Sequence, residues 1–102
     1  MPEFIAVASV DSLPPGQGRT VHVRGRNYSL WNLNGQFYCL TDECPHRGVS
    51  LGAGMLDGTE AVCPMHGWAF DVRTGVCVLR PDRPAATYPT RVTGDQVEIG
   101  VL

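Results

Sequence analysis

Four turn-forming dipeptides, Asn34-Gly35, Asp57-Gly58, Thr74-Gly75 and Gly94-Asp95, punctuate a sequence otherwise made of short runs of alternating apolar and polar residues. A two-residue turn with positive φ joins antiparallel strands, because its twist matches that of the strands it connects. Turn signals that recur about every eight to twelve residues, with no sustained 3.6-residue period, restrict such a chain to an all-β fold. The spacing predicts four hairpins: residues 28–33 with 36–40, 55–56 with 59–62, 69–72 with 76–79, and 91–93 with 96–101. Pro14, Pro15, Gly16 and Gly18 mark an early loop, and Pro81, Pro84 and Pro89 stiffen a later one.

At 102 residues the chain makes one domain with a marginal hydrophobic core, so a bound inorganic centre could supply much of its order. Eight Lys plus Arg against ten Asp plus Glu give a net charge of -2 with no basic block, which excludes a nucleic-acid partner. The apolar run at residues 4–8 falls far short of the roughly 20 residues that span a bilayer, and no charged segment precedes it. The expectation is a cytoplasmic protein without a membrane segment. In that setting four cysteines point to metal binding or buried thiols rather than to disulfides.

Two of those cysteines are paired with histidines. Cys44-Pro45-His46 gives CPH, and nineteen residues further on Cys63 begins CPMHGWAFD, with His66 three residues after it. Each pair follows the end of a predicted strand, so two loops leaving rigid hairpins can close on one centre from opposite sides. Gly48, Gly52, Gly54 and Gly67 leave room for backbone to approach that centre. Two Cys and two His also make a legitimate tetrahedral zinc site. A structural zinc module is therefore an alternative, although the order Cys-x-His then Cys-x-x-His is wrong for a zinc finger.

CPHRG at residues 44–48 and CPMHGWAFD at residues 63–71 closely resemble the two cluster loops of the Rieske family, and the strand order from about Phe4 to Val101 resembles it more loosely. The resemblance implies a Rieske fold over a single domain, residues 1–102: an antiparallel β-sandwich base with an inserted cluster-binding subdomain from about residue 42 to about residue 80. It also implies one 2Fe-2S cluster, with Cys44 and Cys63 on one iron and His46 and His66 on the other, outer iron. Sixteen residues between His46 and Cys63 suit that family. Two ferric ions, two sulfides, two thiolates and two neutral imidazoles sum to zero charge, so adding an electron costs less than with four thiolates. Rieske centres accordingly lie at about -150 to +300 mV, against roughly -400 mV for the plant type.

Proton-pumping members of the family add an inter-loop disulfide and hydroxyls that bond to cluster sulfurs. Val49 and Met65 stand at the bridging positions here, and Trp68 and Phe70 where the hydroxyls would be. The resemblance therefore implies a low-potential centre. Its histidine end should face solvent, with Arg47 either meeting an acidic partner edge or simply an exposed charge.

A ring-hydroxylating oxygenase would need a further iron held by two histidines and a carboxylate, and only His22 is left over. The resemblance thus implies an electron carrier, not an enzyme: a monomeric ferredoxin passing one electron from a flavin-dependent reductase to a terminal oxygenase. The alternative is the small subunit of an assimilatory NAD(P)H nitrite reductase, working with its large subunit, whose sequences look similar around HGWAFDVRTGVC and YPTRV. Cys39 and Cys77 read as buried thiols, His22 as a surface or packing residue, and Tyr28 and Trp31 as strand core. Pro81 and Pro84 either belong to a loop that shields the cluster or stiffen an ordinary one.

Overall fold

The structure, a computed structural model, describes residues 3–43, 49–65 and 67–101. Its strands are β1 (Glu3–Ser9), β2 (Gly18–Val23), β3 (Arg26–Leu33), β4 (Gln36–Thr41), β5 (Met55–Asp57), β6 (Glu60–Val62), β7 (Ala69–Asp71), β8 (Thr87–Tyr88), β9 (Thr90–Thr93) and β10 (Gln96–Val101), with short 3-10 turns at Val10–Ser12 and Leu51–Ala53. They form three antiparallel sheets among the described residues, in the orders β1-β10-β9, β2-β3-β4-β8 and β5-β6-β7.

The four-stranded sheet is the middle layer. Successive side chains of a strand point to opposite faces, and β3 and β4 are apolar on both. Leu30 and Cys39 face an outer core shared with Val97, Ile99 and Val101 of β10. Trp31 and Leu40 face an inner core shared with Ala61 of β6 and Phe70 of β7. The small β5-β6-β7 sheet is thereby seated on a platform that is itself buried on its other side. Asn32, buried in β3, donates from Nδ2 to the Leu13 carbonyl at 2.8 Å and accepts from the Gly35 N–H at 2.7 Å, which fixes the turn that follows.

The hairpin at Asn34-Gly35 forms as the sequence predicts, with φ of 54° and 92° at the two turn residues. So does the one at Gly94-Asp95, where Thr93 pairs with Gln96. The hairpin expected to turn at Asp57-Gly58 is shifted by one residue. Asp57 pairs with Glu60, so Gly58 and Thr59 form the turn. Gly58 has a φ of 61° and so occupies the first turn position, the one a type II′ turn reserves for glycine.

The second arm expected at residues 76–79 is not a strand. It contributes one isolated bridge, Phe70 to Cys77, with Val78 N–H donating to the Ala69 carbonyl at 3.0 Å. These contacts lie on the edge of β7 opposite β6, and Pro81 follows two residues after the arm. A further hairpin, β2 to β3 around Arg24-Gly25, was not legible, because Arg24 adopts a φ of 52° that few residues other than glycine, asparagine or aspartate favour.

Candidate metal centre

The second loop expected to hold ligands grows from the β6-β7 hairpin. Val62 pairs with Ala69, closing residues 63–68, and the Cys63 N–H donates to the Trp68 carbonyl at 2.7 Å. Cys63 is 2% exposed and packs with Trp68, Phe70 and Val72, whereas Pro64 and Met65 beside it are exposed. Within two residues the chain passes from core to solvent. A Cβ added at Gly54 would lie 1.9 Å from the Val62 carbonyl oxygen, so only glycine lets the segment entering β5 lie against the backbone just before Cys63.

The segments flanking the first expected ligand pair are held differently. β4 ends at Thr41, and Glu43 forms an isolated antiparallel bridge with Ser50, closing residues 44–49. Asp42 is 4% exposed. Its carboxylate accepts from Thr20 Oγ1 at 2.9 Å, from Ser50 Oγ at 2.8 Å and from the Gly52 N–H at 2.8 Å. Its carbonyl accepts from the Leu51 N–H, and its own N–H donates to the Asn27 carbonyl. A buried charge is tolerable only when fully bonded, and here the bonds run to β2 and to the strand of chain leaving the loop. A Cβ at Gly52 would sit 2.4 Å from Thr20 Oγ1 and 2.8 Å from Asp42 Oδ1. The close neighbours at Gly52 and Gly54 are thus Thr20, Asp42 and Val62.

Of the four residues expected to bind metal, Cys63 is placed at the buried root of its loop. Cys44, His46 and His66 lie outside the described residues, as do Arg47 and Gly48. Val49 packs half-buried against the inner core and Met65 is exposed. Trp68 and Phe70 are both buried, and neither carries a hydroxyl. Cys39 and Cys77 are buried free thiols in different cores, as expected. Burial pushes the Cys39 thiol up to about 12, which keeps it protonated and unsuited to ligation. His22 is exposed, its Nδ1 2.6 Å from Asn27 Oδ1, while Tyr28 and Trp31 are core residues. Pro81 and Pro84 are exposed.

Beyond the second loop, Asp71 accepts from the Arg73 backbone N–H and from its guanidinium. These bonds hold the Asp71 carboxyl below the usual carboxylate range. The group missed from sequence is Asp42 with Thr20, Ser50 and Gly52. Its only local signal is a run of polar residues flanking the loop, which reads equally well as a solvated turn.

An antiparallel β platform bearing two loops of equal length, one rooted on a buried cysteine, defines a small metal-centre domain. The chain belongs to the family of the Rieske 2Fe-2S domain, which it matches over residues 3–89, and the domain carries a Rieske-type 2Fe-2S cluster. It is 36% identical over 96 residues to the biphenyl dioxygenase ferredoxin subunit of Pseudomonas sp. (strain KKS102), covering 92% of this chain and 88% of that one. Among solved structures, a chain in the complex of reduced oxygenase and oxidized ferredoxin of carbazole 1,9a-dioxygenase superposes with a TM-score of 0.88 at 31% identity, covering 95% of this chain and 92% of that one. A Mycobacterium tuberculosis protein described as an NADH-dependent nitrite reductase small subunit superposes with a TM-score of 0.92 at 23% identity, covering 100% and 97%, and so shares the fold.

The described residues fit the cluster. Cys63 is an unbridged thiol at a buried root, its loop is closed by a backbone bond, and the flanking residues open outward. A buried thiol at the root of an outward-opening loop suits the thiolate side of an iron-sulfur centre. The zinc alternative falls with the family assignment. No helix among the described residues is long and apolar enough to cross a membrane.

Proposed function

We propose that this chain is a low-potential Rieske ferredoxin, a cytoplasmic, monomeric one-electron carrier from a flavin-dependent reductase to a terminal oxygenase. In this reading residues 1–102 are one domain with a cluster-binding subdomain at about residues 42–80. Cys44 and Cys63 hold the inner iron, and His46 and His66 the outer one. The observation that carries the reading is the buried Cys63 at the root of a closed, outward-opening CPMHG loop, in a chain related to dioxygenase ferredoxin components.

When bound, the cluster takes up and releases one electron. The protein's own groups set the conditions for that. The inner core around Cys63, Trp68 and Phe70 excludes water from the sulfur side. Exposed Pro64, Met65 and Gly67 leave the outer side open to a partner, across a small and transient contact. Phe70 offers no hydrogen-bond donor that would stabilise an added negative charge, which favours the lower part of the family's range. With only His22 left over, too few residues for a second iron site, the chain transforms no substrate.

The nitrite reductase reading is less favoured, because that likeness stands at 23% identity whereas ferredoxin subunits reach 36%. Iron and acid-labile sulfide analysis, with the electron paramagnetic spectrum of the reduced protein, tests the cluster. Two of each per chain are expected, and a colourless protein with one zinc would overturn the reading. Pull-down from the native host separates the two roles, since a subunit would copurify with a large sirohaem protein and a diffusible carrier would not.

A further inference from the structure

We propose that Asp42 is the positioning residue of the first ligand loop, fixing the mouth through which Cys44 and His46 are presented. This rests on the reading that those two residues bind the cluster. Asp42 precedes Cys44 by two positions, and its three carboxylate bonds reach both of the elements that define the loop's place. Thr20 belongs to β2, an edge of the middle sheet. Ser50 and Gly52 belong to the chain returning from the loop.

Thr20 Oγ1 and Ser50 Oγ are themselves 3.0 Å apart, so the carboxylate gathers the two hydroxyls that donate to it into one cluster across the loop base. No strand pairing does this work. Beyond the single bridge of Glu43 with Ser50, the returning segment enters the 3-10 turn Leu51–Ala53. Its backbone groups must find other partners. The Gly52 N–H finds the Asp42 side chain, and the Leu51 N–H finds the Asp42 carbonyl.

Asn at position 42 keeps the volume but offers an amide N–H2 where Ser50 or Thr20 now donates, so one donor meets another and these bonds must rearrange. It also removes a carboxylate two positions before Cys44, and loss of a negative charge near a redox centre favours reduction. The position thus acts on how long the loop keeps its metal and on the ease of reduction. A residue important only for folding would affect neither.

The test compares holoprotein of wild type, Asp42→Asn, Thr20→Val, Ser50→Ala and, as a control in the outer core, Val97→Ala. Iron release to a chelator is followed at a temperature where each is folded, together with the midpoint potential. Asp42→Asn is expected to lose iron about tenfold faster, at the lower end of what disturbing a ligand's supporting groups costs, and to shift its midpoint upward. Thr20→Val and Ser50→Ala should release iron faster than wild type by smaller factors. Val97→Ala should lower thermal stability without changing release rate or midpoint.

Equal release rates and midpoints in wild type, Asp42→Asn and Thr20→Val would overturn the proposal. So would an acceleration in Val97→Ala matching that in Asp42→Asn, since the effect would then be general destabilisation. If Asp42→Asn fails to fold, Thr20→Val and Ser50→Ala decide by the same criterion. A wild-type protein without two irons would instead remove the cluster reading underneath.

Discussion

The two loops proposed to carry the ligands are equal in length and opposite in foundation. Residues 63–68 rise from a hairpin whose inner face is apolar: Ala61, Cys63, Phe70 and Val72 pack on Trp31 and Leu40 of the middle sheet. Residues 44–49 rise from a polar knot, with Asp42 buried among Thr20, Ser50 and Gly52. The difference follows from what each return strand can pair with. β6 and β7 are consecutive and close a ladder, so apolar burial suffices to hold them. The chain after residue 49 enters a 3-10 turn and meets the edge strand β2 sideways, so directional bonds must locate it. A foundation of apolar area is weakened chiefly by loss of packed volume, whereas one of directed bonds is weakened chiefly by removing a donor or an acceptor.

The largest expected effect breaks the second loop outright. Cys63→Ala removes a proposed ligand, and the purified protein should contain no stoichiometric cluster by iron analysis and visible absorption. Retention of two irons would place the ligand set elsewhere. Next, Phe70→Ala empties the apolar foundation and should cost about 3–5 kcal/mol in urea denaturation. Thr20→Val at the polar foundation should cost about 1 kcal/mol. Equal costs would erase the distinction between the two foundations.

Trp68→Ser sharpens the comparison on the electronic side. It places a hydroxyl in the second loop where higher-potential relatives carry one, and should raise the midpoint by tens of millivolts, since about 59 mV corresponds to 1.4 kcal/mol for one electron. An unchanged midpoint with that hydroxyl bonded to a sulfide would show that donors at this position do not set the potential.

The smallest effect is expected at Asp71. Its carboxyl is held low by Arg73, so its contribution to stability is fully present above the unfolded aspartate value of about 3.9. That contribution disappears as the pH falls through the lower folded value. Asp71→Asn should therefore lower the denaturation midpoint slightly at pH 7 and converge with wild type in acid. A gap that widened in acid would contradict the assignment.

The sequence revealed what is local. Asn34-Gly35 and Gly94-Asp95 set two turns, and CPMHGWAFD marked the second loop and its buried cysteine, because a turn's φ requirement and a ligand spacing are written in consecutive residues. The strand expected at residues 76–79 is reduced to the Phe70–Cys77 bridge on the free edge of β7, because alternation does not reveal how far a ladder runs. Arg24-Gly25 was missed because an arginine accepted a backbone conformation that its type does not advertise. The Asp42 knot was invisible for a third reason. Thr20 and Asp42 are 22 positions apart, and nothing near either residue indicates that the middle sheet brings them within 2.9 Å.

The central claim is that a cluster held by two thiolates and two imidazoles, and lacking the hydroxyl donors of higher-potential relatives, makes this domain a low-potential electron carrier. A potentiometric titration of the anaerobic holoprotein, followed by its electron paramagnetic signal, tests it directly. The account predicts a single one-electron wave well below zero; a midpoint above about +100 mV, in the upper part of the Rieske range, would contradict it.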